Sequence, residues 1–185
     1  MAASDEDDAS LIRAALAGDP GAFSALMGRH KSGLYRFVLR YVGDADEALD
    51  LVQDTFVACW SALNAFDQTR SFPTWLRRIS LNKCRDWSRR RKVRQFFFGA
   101  MPLRESDTTT TDAETPDDGI ERKLVQLDDA ISALPSALKE PLILTAFAGL
   151  SHVEAASLLG VSPKAIETRI YRAKQQLRRS MGSGA

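Results

Sequence analysis

Apolar side chains recur along this chain at helical spacing. Between residues 23 and 41, Phe23, Leu26, Met27, Leu34, Phe37, Val38 and Tyr41 return every three or four positions. Asp19 and Pro20 supply a cap and a first-turn proline ahead of that stripe, and Gly43 ends it. A shorter stripe, Leu11, Ile12, Ala15 and Leu16, precedes it and stops at Gly18. Asp44 and Glu47 form an acidic version of a capping box, opening a helix that packs Leu49, Val52, Phe56, Cys59 and Leu63. Residues 71–94, SFPTWLRRISLNKCRDWSRRRKVR, read as one further helix, with Pro73 in its first turn and Trp75, Leu76, Ile79 and Trp87 toward a core.

The pattern lapses and then returns. Residues 104–119 are rich in Thr, Asp and Glu and read as a flexible linker. Ile120, Leu124, Leu127, Ile131 and Leu134 resume a helical stripe. Pro135 and Ser136 stop it and cap a helix reaching about Ala148, with a late start or a kink at Pro141. Ser151 and Glu154 make a capping box for a short helix carrying Val153, Ala156, Leu158 and Leu159. Gly160 turns the chain, Val161 plugs the core, and Ser162 and Pro163 start a last helix with Ile166, Ile170, Ala173 and Leu177 inward.

The expected architecture is all-α, two small helical domains joined by a flexible acidic linker, the second containing a helix-turn-helix. The boundaries fall at a disordered acidic N-terminus (1–10), a first domain (11–98), a linker (99–118) and a second domain (119–180). Phe96, Phe97 and Phe98 fit neither period; they fold back onto the first domain or serve a partner.

Charge sharpens this division. The net charge of +1 over 185 residues conceals segregation. Residues 11–100 hold fifteen Lys and Arg against eight Asp and Glu, and residues 101–130 hold three against nine. Two basic blocks on an acidic tether point to two nucleic-acid-facing domains. Cys59 and Cys84 form no CxxC pair and read as buried free thiols. His30 and His152 are isolated, so no metal site is expected. No apolar run approaches a membrane span, so the expectation is a soluble cytoplasmic protein without membrane insertion. With no catalytic constellation, metal spacing or phosphate loop, the chain reads as a non-enzyme without cofactor or catalytic residues.

Four features carry the candidate chemistry. On the helix at 71–94, Arg78, Asn82, Arg85, Arg89 and Lys92 share one sector: a row of cations with one amide in it, bordered by a Trp. Cations neutralise phosphate, an amide reads a base edge, and a ring can stack on an exposed base; the bland alternative is a solvated basic face. Second, Asp50, Gln53 and Asp54, with Asp46 and Glu47, form an acidic face on the preceding helix. A docking face for a basic protein partner and a solvated face explain it equally well. Third, the loop between those helices, NAFDQTRS, could hold an unpaired base. Fourth, Lys164, Thr168, Tyr171, Arg172, Gln175 and Arg179 face outward on the second helix of the helix-turn-helix, suited to a major groove. Glu167 either accepts from a cytosine amine or pairs with a nearby cation.

Four segments, AFSALMGRHKSGLYRFVLRYVGD, ALDLVQDTFVACW, FDQTRSFPTWLRRISLNKCRDWSRRR and LPSALKEPLILTAFAGLSHVEAASLLGVSPKAIETRIYRAKQQLRR, resemble in that order an extracytoplasmic-function sigma factor, the minimal two-domain bacterial transcription initiation factor. The resemblance implies that Asp50, Gln53 and Asp54 dock on the clamp helices of the largest subunit of core RNA polymerase. It implies that Phe66, Asp67 and Ser71 in the loop, with Trp75, Arg78, Asn82, Arg85 and Arg89, handle the single-stranded −10 element of promoter DNA. Lys164, Thr168, Arg169, Tyr171 and Arg172 match the −35 recognition helix, where relatives carry a small pair in place of Lys164 and Ala165. A dedicated anti-sigma protein is implied as a partner. The competing reading of the same residues is a stand-alone helix-turn-helix regulator.

Overall fold

In the computed structural model the backbone is described for residues 2–98 and 118–182. Among these the chain is helices joined by short turns and loops, with no strand. Helix α1 spans Ala2–Leu16, α2 Pro20–Val42, α3 Ala45–Ala62 and α4 Phe72–Phe98. A 3₁₀ turn, Leu63–Ala65, follows α3. Then come α5 Asp118–Ala133, α6 Ser136–Leu142, α7 His152–Leu159 and α8 Pro163–Gly182. The linker expected at 99–118 lies outside the described residues except for Asp118, which opens α5.

Capping chemistry sets most boundaries as the sequence implies. Asp19 Oδ1 accepts from the backbone N–H of Gly21 at 2.8 Å and Ala22 at 3.3 Å, starting α2. Gly43 ends it at φ 72°, donating to the Leu39 carbonyl. That glycine is required twice: φ is left-handed, and a Cβ there would stand 2.5 Å from Ser132 Oγ on α5. Asp44 caps α3 through the Glu47 N–H, and the Ser151 and Glu154 box at α7 is closed in both directions.

Three expectations are corrected. Residues 2–10 are helical: α1 starts at Ala2, and Asp8 is buried. Acidic residues suit a helix N-terminus, and Asp8 finds ionic partners that its composition alone does not reveal. Leu49 and Val153, placed on packing faces, are 50% and 67% exposed, while Ala48, Leu51 and Ala155 take the buried positions. A stripe read at 3.6-residue periodicity fixes a face only to within one residue's rotation. Helix α4 continues to Phe98, and Phe96 and Phe97 stand exposed, edge to face at 5.5 Å.

Pro141 produces the expected irregularity. Lacking an N–H, it cannot complete an α-type bond, and α6 runs into a π-helical turn, Ile143–Phe147. The Thr145 hydroxyl donates to the Pro141 carbonyl at 2.8 Å.

Helices α1 to α4 bury Ile12, Leu26, Val38, Tyr41, Cys59, Leu76 and Cys84, each 2% exposed or less. In the second block α6 and α7 pack on α8, burying Ile143, Leu144, Ile166 and Ala173 completely. Truncating Ile166 to Ala would cost about 2–5 kcal/mol. The two blocks touch: α5 and the π turn rest on α2. Lys139, at the centre of this contact, donates to the Tyr41 carbonyl at 2.7 Å and the Ser132 carbonyl at 2.5 Å. Burial pushes its ammonium down to about 8. Arg40 bonds Asp128 at 3.0 Å and lies 4.2 Å over the Phe147 ring.

Candidate nucleic-acid interface

The segment between α3 and α4 is held from both ends by aromatic packing. Phe66 meets Phe72 at 5.6 Å, edge to face, and Trp75 at 4.7 Å. Trp75 also lies 5.8 Å from Phe72. Inside the loop, Asp67 accepts from the Thr69 N–H at 3.0 Å, the Thr69 hydroxyl at 2.7 Å and Arg70 Nε at 3.1 Å. Those bonds hold its carboxyl below the ordinary range. Asp67 therefore shapes the loop from within, as Asx residues do in turns. Phe66 is buried and Trp75 half-buried, so both brace the loop, while Gln68, Thr69, Arg70 and Ser71 face outward.

On α4, Arg78 and Asn82 are exposed one turn apart, directly after that loop. Arg89 and Lys92 continue the exposed face. Arg89 pairs with Asp86 on its own helix. Arg85 departs from the row: its side chain is turned to Glu140 of α6, with Nε to Oε1 at 2.9 Å and Nη2 to Oε2 at 2.6 Å. Trp87 is buried and donates from Nε1 to Glu47 at 2.7 Å.

The acidic face of α3 is divided. Asp50 and Asp54 line a groove of about 580 Å³ whose opposite wall is Arg89, Arg90 and Arg94 of α4. Gln53 opens into a different groove, about 690 Å³, formed with α2 and lined by Phe23, Met27, Phe56 and Trp60. Trp60 and Val57 are 48% and 62% exposed there. Glu47 lines the first groove with Asp50 and Asp54 and accepts from Trp87 there.

The second helix of the helix-turn-helix is ordered by its buried side. Ile166, Ile170, Ala173 and Leu177 are all buried, which turns Lys164, Thr168, Tyr171 and Arg172 outward; Arg169 is half-buried. The turn uses Gly160 at φ 68°, with its N–H on the Ala156 carbonyl. Tyr171 is 61% exposed and accepts from Gln175 Nε2 at 2.6 Å. Glu167 bonds Lys164 at 2.8 Å, which raises the Lys164 ammonium and lowers the Glu167 carboxyl.

Sequence reasoning missed the polar contact between the blocks, Tyr41, Lys139 and Glu140, and the buried Asp8. One signal was available: Lys139 and Glu140 stand as a lone charged pair in the apolar run LPSALKEPLILTAF. Burial of such a pair requires partners.

Residues 26–94 match the family model Sigma-70 region 2, and residues 124–177 match Sigma-70, region 4. The RNA polymerase sigma factor NccH of Alcaligenes xylosoxydans xylosoxydans is 40% identical over 172 residues, 92% of either chain. The ECF RNA polymerase sigma factor SigW of Bacillus subtilis is 26% identical over 170 residues, 89% of this chain and 91% of SigW. This chain belongs to the extracytoplasmic-function sigma factors of bacterial RNA polymerase. Among solved structures, that of CnrH in complex with the cytosolic domain of CnrY superposes with a TM-score of 0.70 at 32% identity, covering 97% of this sigma factor and 99% of CnrH. The region 2 match ends at Arg94, within the exposed end of α4, and begins inside α2. Helix α1 lies before it. No described helix of this sigma factor is long and apolar enough to cross a membrane.

Proposed function

We propose that this sigma factor works in the cytoplasm by binding, without catalysis, in three places at once. Asp50, Gln53 and Asp54 of α3 dock core RNA polymerase on the clamp helices of its largest subunit. Helix α8 reads duplex −35 DNA in the major groove through Lys164, Thr168, Arg169, Tyr171 and Arg172. The loop after α3, with Arg78 and Asn82 of α4, captures a base of the −10 element as it leaves the stack. Unstacking costs a few kcal/mol, and the captured base together with phosphate contacts offsets it.

One observation supports this reading above others. A single chain carries a helix-turn-helix with an exposed polar row and, on a separate helix, exposed Arg78 and Asn82 beside an outward-facing loop. A duplex-reading regulator has use for the first surface only. The structure of CnrH with the cytosolic domain of CnrY supports a further element, an inhibitory protein partner that holds this sigma factor inactive.

The test is transcription in vitro with core polymerase and a randomised promoter library. Enrichment at two separated elements, dependent on core enzyme, is the expected result. Tight sequence-specific duplex binding by the isolated protein, with no effect of core enzyme, would instead identify a stand-alone helix-turn-helix regulator.

A further inference from the structure

Helix α1 reaches the first domain's loop through a buried carboxylate. Asp8 is 2% exposed. Its Oδ1 accepts from Arg29 Nη1 at 2.7 Å, and its Oδ2 lies 2.8 Å from His30 Nε2. A buried carboxylate is costly unless paired, and both oxygens of this one are engaged. The His30 ring lies 5.4 Å from the ring of Phe72, which closes the loop. Asp8, His30 and Phe72 thus form a continuous path from α1 to the start of α4.

Between α1 and the loop lies a cavity of about 180 Å³. Asp8, Ala9 and Ile12 of α1 form one wall and Phe66 and Phe72 another, with Gln68, Thr69 and Ser71 among the loop residues around it. The volume equals several waters at ~30 Å³ each, room for one heterocyclic base without its sugar. Apolar and aromatic walls suit the faces of an extruded base, and an amide with two hydroxyls suits its edge. Loop residues alone would leave this space open on the α1 side.

We infer that α1 is the far wall of the pocket that receives the unstacked −10 base, and that Asp8, acting through Arg29 and His30, is the positioning residue that keeps this wall in place. The inference rests on the reading that the loop after α3 holds such a base. It adds a helix outside the matched family segments to the surface that discriminates the base. It also accounts for a carboxylate buried next to a nucleic-acid surface: Asp8 points at Arg29 and His30 instead of at phosphate.

The experiment uses the full chain reconstituted with core polymerase and a library randomised across both promoter elements. Ala9→Leu places bulk in the cavity, whose lining includes neither Arg29 nor His30, and leaves Asp8 itself unaltered. It should flatten base preference at one −10 position by about tenfold, with −35 preference and core affinity unchanged. Asp8→Ala should flatten the same position, and Asp8→Asn, which keeps a hydrogen bond to His30, should flatten it less. Asn82→Ala serves as reference. If Asn82→Ala alters the −10 profile and Ala9→Leu leaves it intact, α1 is no part of the pocket. If neither variant alters it, the loop holds no base, and the inference falls together with the reading beneath it. Uniform loss of transcription at every library member, with weakened core binding, would show a structural role only and would also overturn it.

Discussion

Arg85 and Glu140, on different helical blocks, grip each other through two hydrogen bonds, 2.9 Å and 2.6 Å long. The carboxylate also accepts from the Tyr41 hydroxyl at 3.2 Å. Glu140 is 7% exposed, whereas the Arg85 side chain keeps 36% of its exposure. A cation on the basic side of α4 is thereby neutralised by the chain's own second block. A phosphate at this guanidinium would have to displace Glu140.

Glu140→Ala should therefore loosen the contact between the blocks. The pair is half screened by solvent, so the expected loss is about 1–3 kcal/mol, between the values for exposed and fully buried pairs. Urea unfolding measures the loss, and small-angle scattering should record a larger radius of gyration. An unchanged radius and unfolding midpoint would show that the pair contributes nothing to holding the blocks together.

The fold should also fail in alkali, and Lys139 should slow the decline. Burial pushes the thiols of Cys59 and Cys84 and the Tyr41 phenol up to about 12. Groups raised in this way stabilise the fold below their unfolded pKa, and that contribution is lost as pH climbs toward the folded value. Lys139, pushed down to about 8, acts oppositely: between about pH 8 and 10.5 the unfolded chain holds the extra proton, so rising pH favours the fold. Each group changes stability by at most about 1.4 kcal/mol per pH unit. Stability should rise slightly between about pH 8 and 9 and then fall, gently at first because two thiols act against one ammonium, and steeply above about pH 10. Lys139→Met removes the opposing contribution, so it should show no rise and should fall about twice as fast between about pH 9 and 10. Identical slopes in the two proteins over that range, measured by urea unfolding across the series, would contradict this.

Reversing both acids that line the α3 groove, Asp50→Lys with Asp54→Lys, should lower affinity for core polymerase at least tenfold. Because these residues face Arg89, Arg90 and Arg94, the milder pair Asp50→Asn and Asp54→Asn controls for repulsion inside the domain. Circular dichroism should remain native in both. Full core affinity in a natively folded charge-reversed protein would remove α3 as the docking site.

Asn82→Ala should change which −10 bases are accepted while leaving −35 preference alone, by about 1–3 kcal/mol at the affected position. Arg78→Ala should instead weaken binding evenly across sequences and shallow its salt dependence, as loss of a phosphate contact does. Selection from a promoter library at two salt concentrations separates the two behaviours. An unaltered −10 profile for Asn82→Ala would reassign that amide to the solvated surface.

What the sequence determined by itself is local in origin. Helix spans, caps and the inward row Ile166, Ile170, Ala173 and Leu177 follow from periodicity, proline and glycine within a few residues, and the outward rows on α4 and α8 follow as their complements. The free thiols Cys59 and Cys84 are buried as their helical context implies. Tertiary structure alone decided which polar groups meet. Asp8 finds its partners 21 and 22 residues away, and Arg85 finds Glu140 55 residues away. These contacts turned Arg85 from the exposed row and gave Asp8 a buried place in an acidic stretch, while packing on Phe66 and Phe72 made Trp75 a brace. Composition marks a charge as costly to bury, but only the folded packing brings up the opposite charge that makes burial possible.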